Sequence, residues 1–362
     1  MLDSGTLTES FVNVLHVFDL PQLHNKPSVS ELHQALKLLA IETPSWEKGS
    51  QNIGRGAFNI QQRCRVAPEG VPKYLTSIIA SPLNWIQNEE QKVAIWEEAS
   101  LRLAERSGRT AMPAISRTFI IPKKDGGDFE LQIYEPSITG DSLGLKTWAA
   151  SYLLSKRLHA INIHRLDDGP LRILELGSGT GLVGMAAAAI LGAEVILTDL
   201  PDIEGNLARN VKQNEVVIQQ HSGVARTAVL DWTQPECIIS SKISVSTDSN
   251  SGLDSATKID KFPVIVAADS IYSAEHPRML VNTVKSWLAA GSASRVIVEL
   301  PIRDGYCAEI NEFRQGMLRI GLEVLEDGEE TGYDDWGGSS EDELQEVKCW
   351  WSIWAWERKL PN

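Results

Sequence analysis

Residues 173–184, ILELGSGTGLVG, carry four glycines directly after an apolar run. A strand that runs into such a turn and then opens a helix is the context in which proteins bind nucleotide ligands. Because glycine has no side chain, a ligand can approach the backbone closely, and the amide groups at the start of the helix face that ligand. The stretch therefore predicts a nucleotide-type binding turn.

The spacing of the glycines distinguishes between ligands. A dinucleotide fingerprint needs GxGxxG, but the third glycine position of that fingerprint falls on Leu182, and the GK[ST] of a phosphate-binding loop is absent from the stretch. The observed pattern is Glu175-x-Gly177-x-Gly179-x-Gly181. The alternative interpretation is a tight strand–helix turn without a ligand.

Strand and helix patterns alternate from this stretch onward. Candidate strands lie at 171–176, 194–198, 225–230, 263–268 and 295–299, and helical patterns at 183–191, 205–214, 277–290 and 306–320. The alternation predicts an α/β fold with a doubly wound, mostly parallel sheet. Two more strands, at 322–325 and 347–356, are expected to pair antiparallel, which gives a seven-stranded sheet.

The rest of the chain divides into further segments. Residues 1–110 predict a helical N-terminal extension, either a substrate-docking module or a packing layer, and residues 111–362 predict the main domain. Strands at 117–121 and 129–134 flank PKKDGGD and predict a hairpin, and a helix over 145–158 contains Trp148. The Ser-, Asp- and Lys-rich segment 240–261 predicts a surface insertion without a fixed fold.

Composition narrows the class of protein. The chain has 362 residues and a formal net charge of −14, which argues against nucleic acid as a partner. Four widely separated cysteines without a CxxC pair indicate reduced thiols, and with seven histidines and no HExxH we expect no metal site. The sequence shows neither a signal peptide nor a membrane-spanning stretch. We expect a cytoplasmic monomer.

The pattern E-x-G-x-G-x-G resembles that of the seven-strand S-adenosylmethionine (SAM) methyltransferases, which have a Rossmann-like fold. The resemblance implies SAM as the cofactor. The acidic residue near the turn helps to hold the methionine amino group in that family, which implies this role for Glu175. The turn formed by Gly177, Ser178, Gly179 and Gly181 would admit the ribose and the methionyl part.

Acidic residues after the next two strands agree with this cofactor. Asp199 ends the second strand, 22 residues after Gly177, where a carboxylate can accept hydrogen bonds from both ribose hydroxyls. Asp231 and Trp232 follow the third strand. An acid at this point of the fold typically faces the adenine amino group, and Trp232 would cover the adenine ring. The alternatives are a helix cap at Asp199 and a core position for Trp232.

The stretch VIVAADSIYSAEH, residues 264–276, carries the candidate chemistry. Asp269 and Tyr272 follow the fourth strand, at the edge where open α/β sheets place their active sites. The D-x-x-Y pattern resembles methyltransferase-like family 16 of the protein-lysine methyltransferases. The D/N-P-P-Y/F/W pattern of nucleic-acid amino-methylases fits less well, because no Pro-Pro follows Asp269. The alternative is a helix cap next to a packed ring.

Further residues match family 16. Gly144-x-x-x-Trp148 lies where that family places a tryptophan over the cofactor, and Ala268 directly precedes the acid. The phrases SGRTAMP and YDDWG more narrowly resemble the elongation-factor lysine methyltransferases, in particular those of type two. The resemblance implies transfer of a methyl group to a protein lysine, with a translation elongation factor as the substrate.

The residues after the fourth strand also suggest roles in the reaction. We expect Asp269 to accept a hydrogen bond from the lysine amine and Tyr272 to line an aromatic wall. His276 is the nearest candidate proton acceptor, and the alternative is a surface or helix-start histidine. Residues 326–346 contain ten acids and no base, which predicts either a solvated loop or a clamp for a basic substrate, anchored by Tyr333 and Trp336.

Two other functions stay open on the sequence. The first is a SAM-dependent amino-methylase that acts on a nucleic acid or a small molecule. The second is a catalytically silent, cofactor-binding interaction module, against which the intact pair Asp269 and Tyr272 argues.

Overall fold

The structure is a computed structural model that describes residues 15–41, 46, 66–107, 113–137, 143–163, 169–240, 243–246, 260–303, 305–334 and 345–357. The chain forms two compact units, Met1–Pro113 and Ala114–Asn362. Within the described part of the chain, no helix combines the length and the apolar character that crossing a bilayer requires.

In its described residues, the first unit contains three α-helices around a small apolar core. These are α1 (Val29–Leu38), α2 (Val71–Ala80) and α3 (Glu89–Ala104). A capping box starts α1: Ser28 Oγ accepts a hydrogen bond from the Glu31 amide, and Glu31 Oε2 accepts one from the Ser28 amide. These two bonds fix the first turn of the helix.

The second unit alternates strands and helices. In chain order it contains β1 (Ile115–Pro122), β2 (Asp128–Glu135), α4 (Ala149–Arg157), β3 (Arg172–Leu176), α5 (Leu182–Leu191), β4 (Glu194–Asp199), α6 (Pro201–Gln213), α7 (Glu215–Gln220), β5 (Val224–Val229), β6 (Cys237–Ser240), β7 (Ile243–Ser246), β8 (Val264–Ala268), α8 (His276–Trp287), β9 (Arg295–Pro301), α9 (Cys307–Arg319), β10 (Leu322–Asp334) and β11 (Gln345–Trp356).

The main sheet has the order β10-β11-β9-β8-β3-β4-β5-β6-β7. The strands from β5 through β4, β3 and β8 to β9 are parallel, and β11 pairs antiparallel with both β9 and β10. This confirms the predicted doubly wound, mostly parallel sheet. Because β4 lies on one side of β3 and β8 on the other, the order of strands reverses at β3, and a crevice opens at the carboxyl ends of these strands.

Within the described residues the sheet has nine strands, so the predicted number of seven is wrong. The two additional strands, β6 and β7, form an antiparallel hairpin beside β5. Strand β7 lies within 240–261, so the absence of a fixed fold does not hold for 243–246, while 247–259 lie outside the described residues. The signal for this strand is the short alternation of apolar and polar residues in ISVS.

Alternate residues of the central strands face opposite sides of the sheet. Leu174 and Leu176 of β3 belong to the same core as Trp287 of α8 and Phe313 of α9. The side chain between them, Glu175, therefore points to the other side, where α5 lies.

The hairpin of β1 and β2 forms as predicted, with register from Ile115↔Glu135 to Pro122↔Asp128. The free backbone edge of β2 is bound by side chains of helix α6 and of the residue that caps it. Asn210 bonds to both backbone groups of Tyr134, and Asn214 bonds to both backbone groups of Gln132. Four residues of helix rise about 6 Å and two residues of strand about 6.6 Å, so the two asparagines match two successive outward-facing peptide groups.

The acidic stretch after α9 is strand rather than loop in the described part. Strand β10 continues to Asp334, and its register runs from Glu326↔Ile353 to Asp334↔Gln345. Exposed charges on an edge strand are common in natural sheets and hide the apolar alternation that identifies a strand. Trp336, the second proposed anchor of a substrate clamp, lies outside the described residues.

Candidate active site

A cavity of about 470 Å³ opens at the carboxyl ends of β3, β4, β5 and β8. Ten of the residues predicted to form the site line it, namely Trp148, Gly177, Ser178, Gly179, Asp199, Asp231, Trp232, Ala268, Asp269 and Tyr272. The cavity therefore lies where the strand order reverses, as expected for an open α/β sheet. Its volume is in the range of pockets that bind cofactors.

Glu175 and Gly181 do not line the cavity. Because alternate residues of β3 face opposite sides of the sheet, Glu175 points towards α5. A Cβ added to Gly184 of α5 would lie against Glu175 Oε2, which is too close for any side chain at that position. Burial raises the pKa of the Glu175 carboxyl to about 8, and a hydrogen bond from the Gly184 amide acts in the opposite direction. Gly181 begins α5 with φ of 88°, and a Cβ there would lie 2.6 Å from Leu207 Cδ1. Both residues shape the turn from beneath the cavity.

The glycine turn has the backbone that its sequence predicts. Gly177 and Gly179 have φ of 68° and 55°, in the left-handed region that disfavours other residues. A Cβ on Gly179 would lie 3.1 Å from the carbonyl oxygen of Gly144, so the turn and the segment before α4 are in close contact. The Thr147 and Thr180 hydroxyls form a hydrogen bond of 2.9 Å, which is a second contact between the glycine turn and the segment before α4.

Asp199 stabilises the turn from the end of β4. Its Oδ2 accepts a hydrogen bond of 2.7 Å from the Gly179 amide, and its Oδ1 accepts one of 2.8 Å from the Leu200 amide. Burial raises the pKa of this carboxyl, and both amide bonds oppose that rise. Each oxygen keeps a second lone pair, so Asp199 can hold the turn and still accept a bond from a ligand in the cavity.

Asp231 and Trp232 form another part of the cavity wall. Asp231 Oδ1 accepts bonds from the amide and the hydroxyl of Thr233, both at 2.8 Å. The Trp232 indole lies against Gly177, since a Cβ there would be 3.2 Å from Trp232 Cζ2. This indole is only partly buried and lines the cavity, which distinguishes it from an ordinary core tryptophan.

Trp148 lies at the N-terminus of α4 rather than inside the predicted helix 145–158. It is the N-cap residue, with extended backbone, and its Nε1 donates to the Leu143 carbonyl oxygen at 3.3 Å. Its segment is fixed by buried Glu135, whose Oε1 accepts a bond of 3.1 Å from the Thr147 amide. The tryptophan is therefore presented to the cavity by residues that also contact the glycine turn.

Asp269 has an unusual backbone. Its φ is 49°, although it is not glycine, and its amide donates to the Glu299 carbonyl oxygen at 2.9 Å. A non-glycine residue with this conformation is uncommon, and such conformations concentrate at functional sites. Burial raises the pKa of its carboxyl to about 6, Arg303 lowers it, and Asp334 raises it.

Tyr272 and His276 lie together at the mouth of the cavity. Their rings are 4.3 Å apart, edge to face, and Tyr272 is 44% exposed. Burial raises the pKa of the Tyr272 hydroxyl and lowers that of the His276 imidazole, so both groups favour their neutral forms near pH 7. The mouth is thus aromatic and uncharged on this side.

The sequence does not identify two residues that the structure places beside Asp269. Arg303 follows β9 and lies 3.1 Å from Asp269 Oδ2, with its guanidinium 5.4 Å from the centre of the Trp148 ring. Asp334 is buried at the end of β10. One feature of the sequence could have identified Arg303: it follows the carboxyl end of the predicted strand next to β8, where open α/β sheets place their active sites.

The charges of the cavity indicate what it can hold. Among the described lining residues, four are aspartates, namely Asp199, Asp202, Asp231 and Asp269, and the permanent cations are Lys146 and Arg303. This balance opposes a pyrophosphate and suits a ligand with a positively charged centre. The turn, the acids after β4 and β5, and the indoles fit SAM, whose sulfonium is cationic. Among the described residues, no group of three His, Cys, Asp or Glu side chains is arranged to hold a metal ion.

A doubly wound sheet with this glycine turn and these strand-end acids is the arrangement of the Rossmann-like methyltransferases. Residues 128–309 match the profile of the lysine methyltransferase family. The chain is 32% identical over 345 residues to the protein-lysine N-methyltransferase rrg1 of Schizosaccharomyces pombe, covering 94% of this chain and 98% of that one. The chain belongs to the lysine methyltransferase family, which confirms the predicted resemblance and the predicted class of enzyme.

One further relative is consistent with the family. The protein-lysine N-methyltransferase EFM2 of Saccharomyces cerevisiae is 33% identical over 293 residues, covering 76% of this chain and 64% of EFM2. A crystal structure of M. jannaschii TYW2 in complex with AdoMet aligns with 66% of this chain and 86% of its own, at 10% identity and a TM-score of 0.36. A score that low supports no inference about this chain.

Proposed function

We propose that this chain transfers a methyl group from SAM to a lysine side chain of a protein, and that a translation elongation factor is the substrate. One observation supports the proposal most directly: the glycine turn, Asp199 at the end of β4, and the pair Asp269 and Tyr272 all line one cavity. Family membership supports the reaction. The elongation factor is supported by the sequence resemblance and by the name of the relative EFM2.

The cofactor would be held by the residues beside the glycine turn. Asp199 would accept hydrogen bonds from the ribose hydroxyls with its remaining lone pairs, Asp231 would face the adenine amino group, and Trp232 would cover the adenine ring. Bound SAM supplies a methyl group on a sulfonium sulfur, which a neutral amine accepts. Gly177 and Gly179 leave the space that the ligand needs beside the backbone.

Asp269 and Tyr272 would orient the lysine. Free lysine has a pKa of about 10.4, so its reactive neutral form is rare at pH 7, and desolvation in the cavity increases that fraction. Asp269 accepts a hydrogen bond from the amine and fixes its direction, while the rings of Tyr272 and Trp148 surround the alkyl stem. Asp269 acts as a positioner rather than as a strong base, because a carboxylate beside an amine stabilises the ammonium form.

The variant Asp269→Asn tests this role. Asparagine tolerates a left-handed backbone and keeps an acceptor oxygen, so the fold is expected to persist. We expect the affinity for S-adenosylhomocysteine, measured by calorimetry, to be unchanged and the rate of methyl transfer to fall by roughly 100-fold. Asp128→Asn, which changes an exposed carboxylate at the start of β2, is the matched control. Normal transfer by Asp269→Asn would disprove the assignment.

A labelled-methyl assay in a cell extract tests the reaction and the substrate class together. With wild-type enzyme we expect the label in protein, on a lysine, and in a band that mass spectrometry identifies as an elongation factor. Label in RNA or in a small molecule would instead favour an amino-methylase. Heat of cofactor binding without any transfer would favour the interaction module.

The acidic strand β10 offers a surface for a basic substrate. Glu326, Asp327 and Glu329 are exposed there, in the same hairpin that brings Asp334 to Asp269. If this strand attracts the substrate, added salt should raise KM for the protein while the affinity for the cofactor stays nearly constant. An equal response of both constants to salt would argue against the surface.

A further inference from the structure

Asp269 and Arg303 form an ion pair that bears on the protonation state of the substrate amine. Methyl transfer needs a neutral amine, but a lone carboxylate beside the amine favours the protonated ammonium. Arg303 Nη2 lies 3.1 Å from Asp269 Oδ2, and the side chain of Asp269 is only 5% exposed. The carboxylate therefore has a permanent cation within contact distance inside the cavity.

Resting on the proposed function, we infer that Arg303 neutralises the charge of Asp269, so that Asp269 accepts a hydrogen bond from the substrate amine without holding that amine in its protonated form. The lysine proton then leaves to water before the amine reacts. Arg303 does not need to touch the substrate, so it is a positioning residue that acts through Asp269.

The surroundings of Asp269 make the compensating charge necessary. The described titratable and charged groups that interact with it are Arg303 after β9, Asp334 on β10, Tyr272 after β8 and Cys349 on β11. Burial raises the pKa of both the Tyr272 hydroxyl and the Cys349 thiol, so both are neutral at pH 7. Among these groups Arg303 carries the positive charge, so without it an amine at this place would face the carboxylate of Asp269 alone.

A second contact, with the ring of Trp148, holds the Arg303 guanidinium beside Asp269. The guanidinium carbon lies 5.4 Å from the centre of the Trp148 ring, and the residue lines the cavity. The indole and the carboxylate together hold the cation from two sides. An arginine stays charged at every relevant pH, which suits a compensating charge better than a group that titrates.

The variant Arg303→Gln tests the inference by its pH profile. We expect kcat/KM to fall by about tenfold near neutral pH, equivalent to one unit in the pKa of the substrate amine, and the loss to shrink as the pH approaches that pKa. Arg303→Lys, which keeps the charge, should restore most of the profile. The affinity for S-adenosylhomocysteine should be unchanged, which also shows that the cavity has folded.

Arg314→Gln is a matched control. Arg314 also pairs with an aspartate, Asp327 at 3.5 Å, and also lies over an indole, that of Trp350 at 4.7 Å, but it does not line the cavity. This variant removes the same charge and the same kind of contacts, and its pH profile should match that of the wild type.

A measurement without turnover separates this inference from the proposed function. With ¹³C-labelled aspartate, the carboxyl signal of Asp269 should titrate at a higher pH in Arg303→Gln than in the wild type, because the neighbouring cation is gone. An unchanged titration, a loss of activity that is equal at every pH, a gain of activity, or a loss of cofactor affinity would each overturn the inference. Absence of methyl transfer to protein by the wild type would instead contradict the proposed function.

Discussion

Glu175 is a buried acid whose effect on stability can be measured. Burial raises the pKa of its carboxyl to about 8, so the folded protein holds a proton there that the unfolded chain releases above its ordinary pKa of 4.5. A raised carboxyl pKa means that stability is greatest below the unfolded value and is lost as the pH rises through the folded value. The relevant window therefore runs from about pH 4.5 to about pH 8.

The change Glu175→Gln should remove this pH dependence, because an amide does not titrate. Between pH 6 and pH 8 we expect the free energy of unfolding of the wild type to fall by about 2 kcal/mol relative to the variant. Urea unfolding of the ligand-free proteins at several pH values measures the difference. Glu194→Gln, on the neighbouring strand β4, is the control. A pH-independent difference would show that Glu175 is ionised in the folded state.

Gly181 and Gly205 give a matched pair of glycine substitutions. A Cβ on Gly181 would lie 2.6 Å from Leu207 Cδ1 in a backbone of φ 88°, whereas a Cβ on Gly205, in exposed helix, meets nothing within 4 Å. We expect Gly181→Ala to destabilise the protein by about 1–3 kcal/mol. Gly205→Ala should be neutral or stabilise by about 0.5–1 kcal/mol. Thermal unfolding measures the stability of both variants. Similar unfolding midpoints for the two would show that Gly181 does not need the space and backbone freedom of a glycine.

At the scale of elements, α6 closes the edge of β2 with asparagine side chains. Asn210 is fully buried and bonds to the Tyr134 amide, the Tyr134 carbonyl and the Thr180 carbonyl at 2.9–3.1 Å. Asn210→Ala leaves these groups without their side-chain partner, so we expect a loss of at least about 2 kcal/mol in the free energy of unfolding. Because Thr180 belongs to the glycine turn, the affinity for S-adenosylhomocysteine should also fall.

Asn206→Ala is the control on the same helix. Asn206 is only partly buried and donates one bond of 3.2 Å to the Tyr134 carbonyl oxygen. Its loss should cost less than about 1 kcal/mol and leave the cofactor affinity unchanged. Equal effects of the two variants would show that the edge of β2 does not depend on Asn210.

The elements differ in how well their sequence predicts them. The parallel strands β3, β4, β5, β8 and β9 are short, mostly apolar runs between helical patterns, and their positions agree with the prediction within two residues. The sequence predicts only 322–325 of β10, because the outer half of this strand carries exposed acids and is defined by pairing with β11. A pairing of that kind depends on a partner strand and leaves little trace in the local pattern.

At the scale of the whole molecule, the cavity belongs to one of the two units. Its lining residues run from Leu143 to Arg303, within Ala114–Asn362. We expect a protein of residues 114–362 to fold cooperatively and to bind S-adenosylhomocysteine with a Kd within about a factor of three of the full chain, a difference below about 0.7 kcal/mol. A folded fragment that does not bind would show that the first unit supports the site.

The sequence by itself determined the glycine turn, the alternation of strands and helices, and the acids that end β4 and precede Tyr272. These features follow from local rules, since glycine spacing, apolar period and position at a strand end are written in consecutive residues. Only the tertiary structure decided that Glu175 faces α5, that β10 extends through its acids, and that Arg303 and Asp334 meet at Asp269. The physical reason is that side-chain parity, strand order and edge pairing bring together groups that are far apart along the chain.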